Sequence, residues 1–157
     1  MHDDGMVREI QEGKGNVCRD VLSDLPEWFG IPEAVDAYVR DVNDLPMFGY
    51  VDGGSVIGFL SLKLHTEFAA EAYVLGVKRA WHRRGVGGCL FWRAEQMLRA
   101  RRFAYLTVKT VADVSPSNAY AATRNFYEAI GFSPVEVFPT LWGPGNPCLF
   151  MIKNISV

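Results

Sequence analysis

The stretch Val74–Leu98, VLGVKRAWHRRGVGGCLFWRAEQML, constrains this chain more than any other. An apolar run stops at Val77. A basic turn holding Gly85, Gly87 and Gly88 follows, and a helical pattern then begins. In a strand–turn–helix unit the helix's first N–H groups lack partners and point at the turn. Together with the macrodipole they make a site for an anion. Glycines let the backbone approach that anion closely and reach positive φ without penalty. Arg83 and Arg84 add attraction and potential direct contacts. On these residues alone two readings stay open: a phosphate or pyrophosphate site, and a glycine turn that only packs a helix on a strand. Two familiar nucleotide loops do not fit. GVGG lacks the third glycine of GxGxxG, and no Lys-Ser or Lys-Thr follows as a P-loop requires.

The rest of the chain supplies the frame. MVREIQ is a short strand candidate. NVCRDVLSDLPEWF sets Val17, Val21, Leu22 and Leu25 on one helical face. Pro26 ends that helix, because the residue before a proline is pushed out of the helical region. IPEAVDAYVRDV carries Pro32 in its first turn and an apolar stripe of Ala34, Val35, Tyr38 and Val39, which predicts a second helix. MFGYVDGGSVIGFLSLKLH reads as a hairpin turning at Asp52-Gly53-Gly54. EAYVLGV is an apolar, central strand. Val86, Leu90, Ala94, Met97 and Leu98 line one face of a helix running to about Ala100. FAYLTVKTV is a strand. SNAYAATRNFYEAIGF is a helix with Ser117 as cap and Gly131 at the left-handed position past its end. PVEVFPTLW and CLFMIKNI are closing strands joined by residues 143–147. The order βααβββαβαββ predicts a mixed α/β (α+β) single domain over 1–157, with about six to seven strands flanked by helices.

Charge and composition narrow the function. The net charge is −2 and the pI about 5.9, which argues against a dedicated nucleic-acid binder. The basic residues are uneven, however: Lys78, Arg79, Arg83, Arg84, Arg93, Arg99, Arg101 and Arg102 crowd one segment. No stretch has the apolar length of a membrane helix. The N-terminus, MHDDGMVREI, is acidic and has no apolar core of a secretory signal. Cys18, Cys89 and Cys148 show neither CxxC nor metal spacing, so buried free thiols in a reducing cytoplasm, and no metal, are expected.

At His82-Arg83-Arg84-Gly85-Val86-Gly87 the sequence resembles the Q/R-x-x-G-x-G/A pyrophosphate loop of GNAT-type N-acetyltransferases. An apolar strand ends just before it, at Val77. RNFYEAIGF, Arg124 to Phe132, is similar to the family's later helix, and the element order matches over essentially the whole chain. Two positions depart from the pattern. His82 stands where Gln or Arg is usual, and Tyr120 stands where an Asn often lies seven residues before the tyrosine.

The resemblance implies an enzyme that passes an acetyl group from acetyl-CoA directly to a primary amine of a small molecule, peptide or protein. Pyrophosphate would rest on the loop from His82 to Gly88, on the N–H groups of Arg83, Arg84, Gly85, Val86, Gly87 and Gly88. The pantetheine arm would run along Leu75, Gly76 and Val77, with Tyr120 replacing one family contact. A primary ammonium of pKa about 10 is protonated at neutral pH and cannot attack, so a base is needed. Glu71 is its candidate, with Glu67 and His65 as runners-up. Developing negative charge needs an N–H donor, for which the Leu75 amide is the candidate. Tyr127 is the candidate acid for the leaving thiolate. Trp28, Phe29 and Trp142 are candidate walls for the acceptor, and Asp3, Asp4, Asp41 and Asp44 would favour a cationic one. Two other functions fit the same fold: a CoA-binding sensor without turnover, and a toxin-like acetyltransferase of aminoacyl-tRNA, which the pI disfavours. A cytoplasmic enzyme is expected, and homodimers are common among such relatives.

Overall fold

The computed structural model describes residues 6–112 and 118–156, with nothing of the side chain of Asn118. The Ser117 cap and the acidic Asp3 and Asp4 therefore lie outside the described residues. Eleven main elements follow one another. They are β1 (Val7–Glu9), α1 (Lys14–Ser23), α2 (Pro32–Asp41), β2 (Met47–Asp52), β3 (Ser55–Leu64), β4 (Ala69–Val77), α3 (Val86–Ala100), β5 (Tyr105–Val111), α4 (Asn118–Ala129), β6 (Ser133–Phe138) and β7 (Cys148–Asn154). The strands form a mixed sheet in the order β1-β2-β3-β4-β5-β7-β6. The chain divides into two compact units, Met1–Lys63 with Ala72–Arg101 and Leu64–Glu71 with Arg102–Val157, so β4 contributes to both.

In the first unit β2 and β3 pair antiparallel, Asp52 opposite Ser55. Gly53 and Gly54 make the turn at φ 57° and 81°, the double left-handed conformation of a type I′ hairpin. β1 adds on the other side of β2, Val7 opposite Tyr50. α1 starts at Lys14, two residues before the periodic run, and ends at Ser23, before the turn that leads into Pro26. Its inward face buries Cys18, Val21 and Leu22, which pack with Leu25, Val42, Met47, Phe59 and Val74. Each such side chain contributes roughly 1.5–3 kcal/mol by leaving water. Gly76 lets α1 come this close. A Cβ there would lie 3.0 Å from Val21 Cγ1 and 3.1 Å from Leu22 Cδ2. α3 buries Val86, Leu90, Ala94 and Leu98 as the spacing predicts, while Met97 of the same predicted face is only half-buried and Phe91 and Cys89 are buried instead.

In the second unit β5 pairs parallel with the start of β4, Glu71 opposite Thr107, and antiparallel with β7, Lys109 opposite Phe150. β6 closes on β7 as an antiparallel edge strand, with an irregularity between Pro134 and Glu136. α4 ends in a Schellman motif. The Phe132 N–H donates to the Tyr127 carbonyl at 3.0 Å, and the Gly131 N–H to the Glu128 carbonyl at 3.1 Å. Gly131 takes φ 107° there. Its sequence role at the helix end is the one its neighbours predicted.

Candidate active site

The glycine turn of the first unit is anchored before it is anything else. Lys78 pairs with Asp20 at 2.7 Å, and Arg79 pairs with Glu27 at 2.7 Å. The Arg79 N–H also donates to Asp24 Oδ2 at 2.7 Å. Two members of the basic cluster are thus committed to acidic residues in and just beyond α1. Arg99 bonds Glu95 at 3.2 Å on its own helix, and Arg93 lies over the Phe48 ring. Arg83 and Arg84 remain exposed at the turn, and Arg84 stacks over Trp81, 5.2 Å from the ring centroid.

The turn's backbone has the geometry of an anion cradle. Arg83 sits at φ 62° and Gly85 at φ 80°. A non-glycine residue at positive φ costs on the order of 1–3 kcal/mol, and such strain gathers at functional sites. Gly85 is the N-cap of α3 and supplies no side-chain cap, so the helix's leading N–H groups are left for another partner. A Cβ on Gly85 would meet nothing within 4 Å, which means the cradle opens on space. These residues fit a diphosphate. One nitrogen of the His82 ring is committed to the strand before the turn. Its Nε2 lies 2.6 Å from the Val77 carbonyl, which only a protonated nitrogen can satisfy, and the ring meets Trp28 edge-on at 5.7 Å.

The residues singled out near the acceptor and the pantetheine path divide. Trp28 and Phe29 are half-buried against the α1 core. Phe29 meets Tyr38 edge-on at 6.0 Å, and Tyr38 meets Tyr73 edge-on at 5.2 Å. The Tyr73 hydroxyl donates to Asp41 at 2.6 Å, so this carboxylate is already hydrogen-bonded. Trp142, in the second unit, is exposed in the β6–β7 connection beside exposed Leu141. Leu75 and Val77 are half-buried on β4, on either side of Gly76.

The second unit gathers the titratable groups. Glu71 is buried, its side chain 7% exposed, while His65 at the start of the β3–β4 turn is 47% exposed. His65 Nε2 and Glu71 Oε1 are 2.7 Å apart. Lys109 Nζ reaches both carboxylate oxygens of Glu71, at 3.3 and 3.4 Å. Sequence reasoning missed Lys109. Its only signal was a lysine inside the apolar strand run FAYLTVKTV, a position where a charge needs a partner. Glu67, the other runner-up, is exposed in the turn. Cys148 lies close enough to feel this group. Burial raises its thiol pKa most, Lys109 lowers it and Glu71 raises it. Tyr127 is buried on α4, its ring between Phe126 at 5.6 Å and Phe132 at 5.7 Å. Tyr120, two turns earlier, has its phenol pKa raised by burial. Among the described residues no group of three or more His, Cys, Asp or Glu side chains is placed to hold a metal ion. No helix among them is long and apolar enough to cross a membrane.

The profile of the acetyltransferase (GNAT) family matches residues 16–132. The chain belongs to the GNAT acetyltransferase family. That match spans the glycine turn, Glu71 and the helix of Tyr127. Solved GNAT structures share the fold at low identity. A GNAT-family protein from Desulfovibrio desulfuricans superposes with a TM-score of 0.82 at 19% identity, over 95% of this chain and 98% of that one. An aminoglycoside 6'-N-acetyltransferase complexed with coenzyme A gives 0.75 at 18%, over 95% and 96%. The ribosomal-protein-S18-alanine N-acetyltransferase from Escherichia coli gives 0.75 at 18%, over 96% and 94%. No curated protein matches by sequence. The mixed sheet flanked by helices is thus the GNAT fold that the element order predicted.

Proposed function

We propose that this GNAT protein, acting as one domain over 1–157, transfers the acetyl group of acetyl-CoA directly to a primary amine of a small molecule, peptide or protein. The observation that carries the reading is the turn at Arg83–Gly85. It is an uncapped helix start, opening on space, with two exposed arginines and a backbone already bent to receive an anion. Bound acetyl-CoA supplies an activated acetyl thioester.

The chain's own groups do the rest. Backbone N–H groups from Arg83 through Val86 to Gly88 hold the diphosphate, and Arg83 and Arg84 balance its charge. His82 ties the turn to the end of β4 through Val77, which keeps the cradle and the strand in register. Leu75, Gly76 and Val77 offer strand backbone to the pantetheine arm, and the Leu75 N–H donates to the oxygen on which charge develops. Tyr120 is offered to the cofactor at the position where the family pattern often has Asn. Glu71 anchors the basic centre that removes the ammonium proton, because a protonated amine has no lone pair with which to attack. Tyr127 donates its phenol proton to the departing thiolate. Trp28 and Phe29 are the aromatic residues offered to the acceptor on the first unit and Trp142 on the second, and Asp41 favours a cationic acceptor. A cytoplasmic enzyme, in a family where homodimers are common, completes this reading.

Acetyl-CoA offered with a panel of primary amines (kanamycin, spermidine and a peptide with N-terminal alanine) tests it. Release of CoA together with an acetylated amine in the mass spectrum is the expected result. Tight acetyl-CoA binding with no turnover on any amine would point to a sensor instead.

A further inference from the structure

We propose that His65, and not Glu71 itself, is the group that takes the proton from the acceptor ammonium, with Glu71 acting as its positioning residue. The inference rests on the acetyltransferase reading above and goes further by dividing the basic centre into two roles. Burial is the first reason. The Glu71 side chain is 7% exposed and the His65 side chain 47%, so the imidazole is the member of the pair that an incoming amine meets.

Hydrogen bonding is the second reason. A carboxylate accepts and cannot donate. The 2.7 Å contact between His65 Nε2 and Glu71 Oε1 therefore places the proton on Nε2. In the neutral ring the lone pair then lies on Nδ1, which makes no hydrogen bond among the described residues. A carboxylate fixing the tautomer of a histidine, whose far nitrogen then acts as base, is an arrangement acyl-transfer chemistry uses elsewhere.

Rigidity is the third. The His65 and Thr66 N–H groups both donate to the Ala69 carbonyl, at 3.1 and 3.2 Å. Thr66 Oγ1 accepts from the Phe68 and Ala69 N–H groups at 3.1 Å each. The turn that carries the imidazole is thereby closed on itself. Glu71 is held in turn by Lys109 across both oxygens. The imidazole faces Glu71 on β4, and Glu71 in turn faces Lys109 on β5 and is felt by the Cys148 thiol on β7.

The step balances simply. The ammonium N–H bond breaks and an Nδ1–H bond forms, giving an imidazolium whose Nε2–H faces Glu71. The lone pair left on the amine forms the new bond to the acetyl carbon. Half-exposed His65 then releases its Nδ1 proton to water.

Two measurements test the assignment. In ¹⁵N-labelled protein at pH 8, the His65 ring, identified by its loss in His65→Gln, shows Nε2 protonated and Nδ1 unprotonated. An Nδ1-protonated ring overturns the proposal without any acceptor being needed. In turnover with the best amine of the panel, His65→Ala loses about 100-fold or more in kcat/KM. Added imidazole restores part of that loss in His65→Ala and none in Glu71→Gln. Wild-type turnover combined with an unimpaired His65→Ala, or a loss in His65→Ala that imidazole leaves untouched, overturns the division of roles and leaves the acetyltransferase reading standing. A wild type that acetylates no amine of the panel removes that reading and this inference together.

Discussion

The ring of Tyr127 meets the ring of Phe132 edge-on at 5.7 Å, across the Schellman turn that ends α4. The turn brings these positions together because Gly131 alone adopts φ 107°, and the hydrophobic contact between them is the one such motifs carry. The phrase FYEAIGF thus fixes the packing of the Tyr127 ring. Tyr127→Phe keeps the ring and its packing. It should cost at most about 1 kcal/mol of stability while lowering kcat roughly 100-fold. Urea unfolding and steady-state kinetics on the same preparation separate the two.

Gly131→Ala disturbs the same turn through the backbone. Its Cβ would meet Lys153 Cε at 3.1 Å in a conformation that L-residues avoid. The expected loss is about 1–2 kcal/mol in unfolding free energy, with kcat falling because Tyr127 is no longer held. An unchanged urea midpoint would show that the turn has an alternative geometry.

Gly76→Ala tests the closeness of α1 to β4. The added methyl would sit 3.0 Å from Val21 Cγ1 and 3.1 Å from Leu22 Cδ2, both in the core. Overpacking of this kind costs about 1–3 kcal/mol. Because α1 also anchors the glycine turn through Asp20, paired with Lys78, the same variant should bind acetyl-CoA more weakly, measured by calorimetry.

Alkaline pH should destabilise the protein through Cys18. Burial pushes this thiol up to about 12 from an ordinary 9, an effect Arg19 partly offsets. The folded state therefore holds the proton more tightly than the unfolded chain. The resulting stability is fully present below pH 9 and is lost as pH rises through about 12. Urea midpoints between pH 8 and 11 should fall in the wild type. The fall should be shallower in Cys18→Ala, after allowance for the cavity that substitution leaves.

Much of this was legible in the sequence, because the informative signals are local. The glycine turn needs positive φ at a helix start, the hairpin needs Asp52-Gly53-Gly54, and the end of α4 needs Gly131. Each is written in residues a few positions apart. The α1 stripe failed only at its edges, since Lys14 and Gly15 precede the periodic run and still join the helix. Pairings across distant strands were not legible. Nothing local joins Lys109 to Glu71, 38 residues apart, or shows that Trp28 lies against His82. Gly76 was expected only along the pantetheine path, and nothing local showed that α1 packs against it. The basic cluster likewise looked like one anion site, whereas ion pairs with Asp20 and Glu27 leave the turn chiefly to Arg83 and Arg84.

Titration of the protein with acetyl-CoA in a calorimeter, beside Gly85→Val and Arg83→Glu, asks whether the glycine turn holds the diphosphate. The wild type should give saturable, stoichiometric heat, and each variant should bind about tenfold or more weakly, a loss of at least about 1.4 kcal/mol. Absence of heat in the wild type, or equal affinity in all three proteins, would contradict that role for the turn.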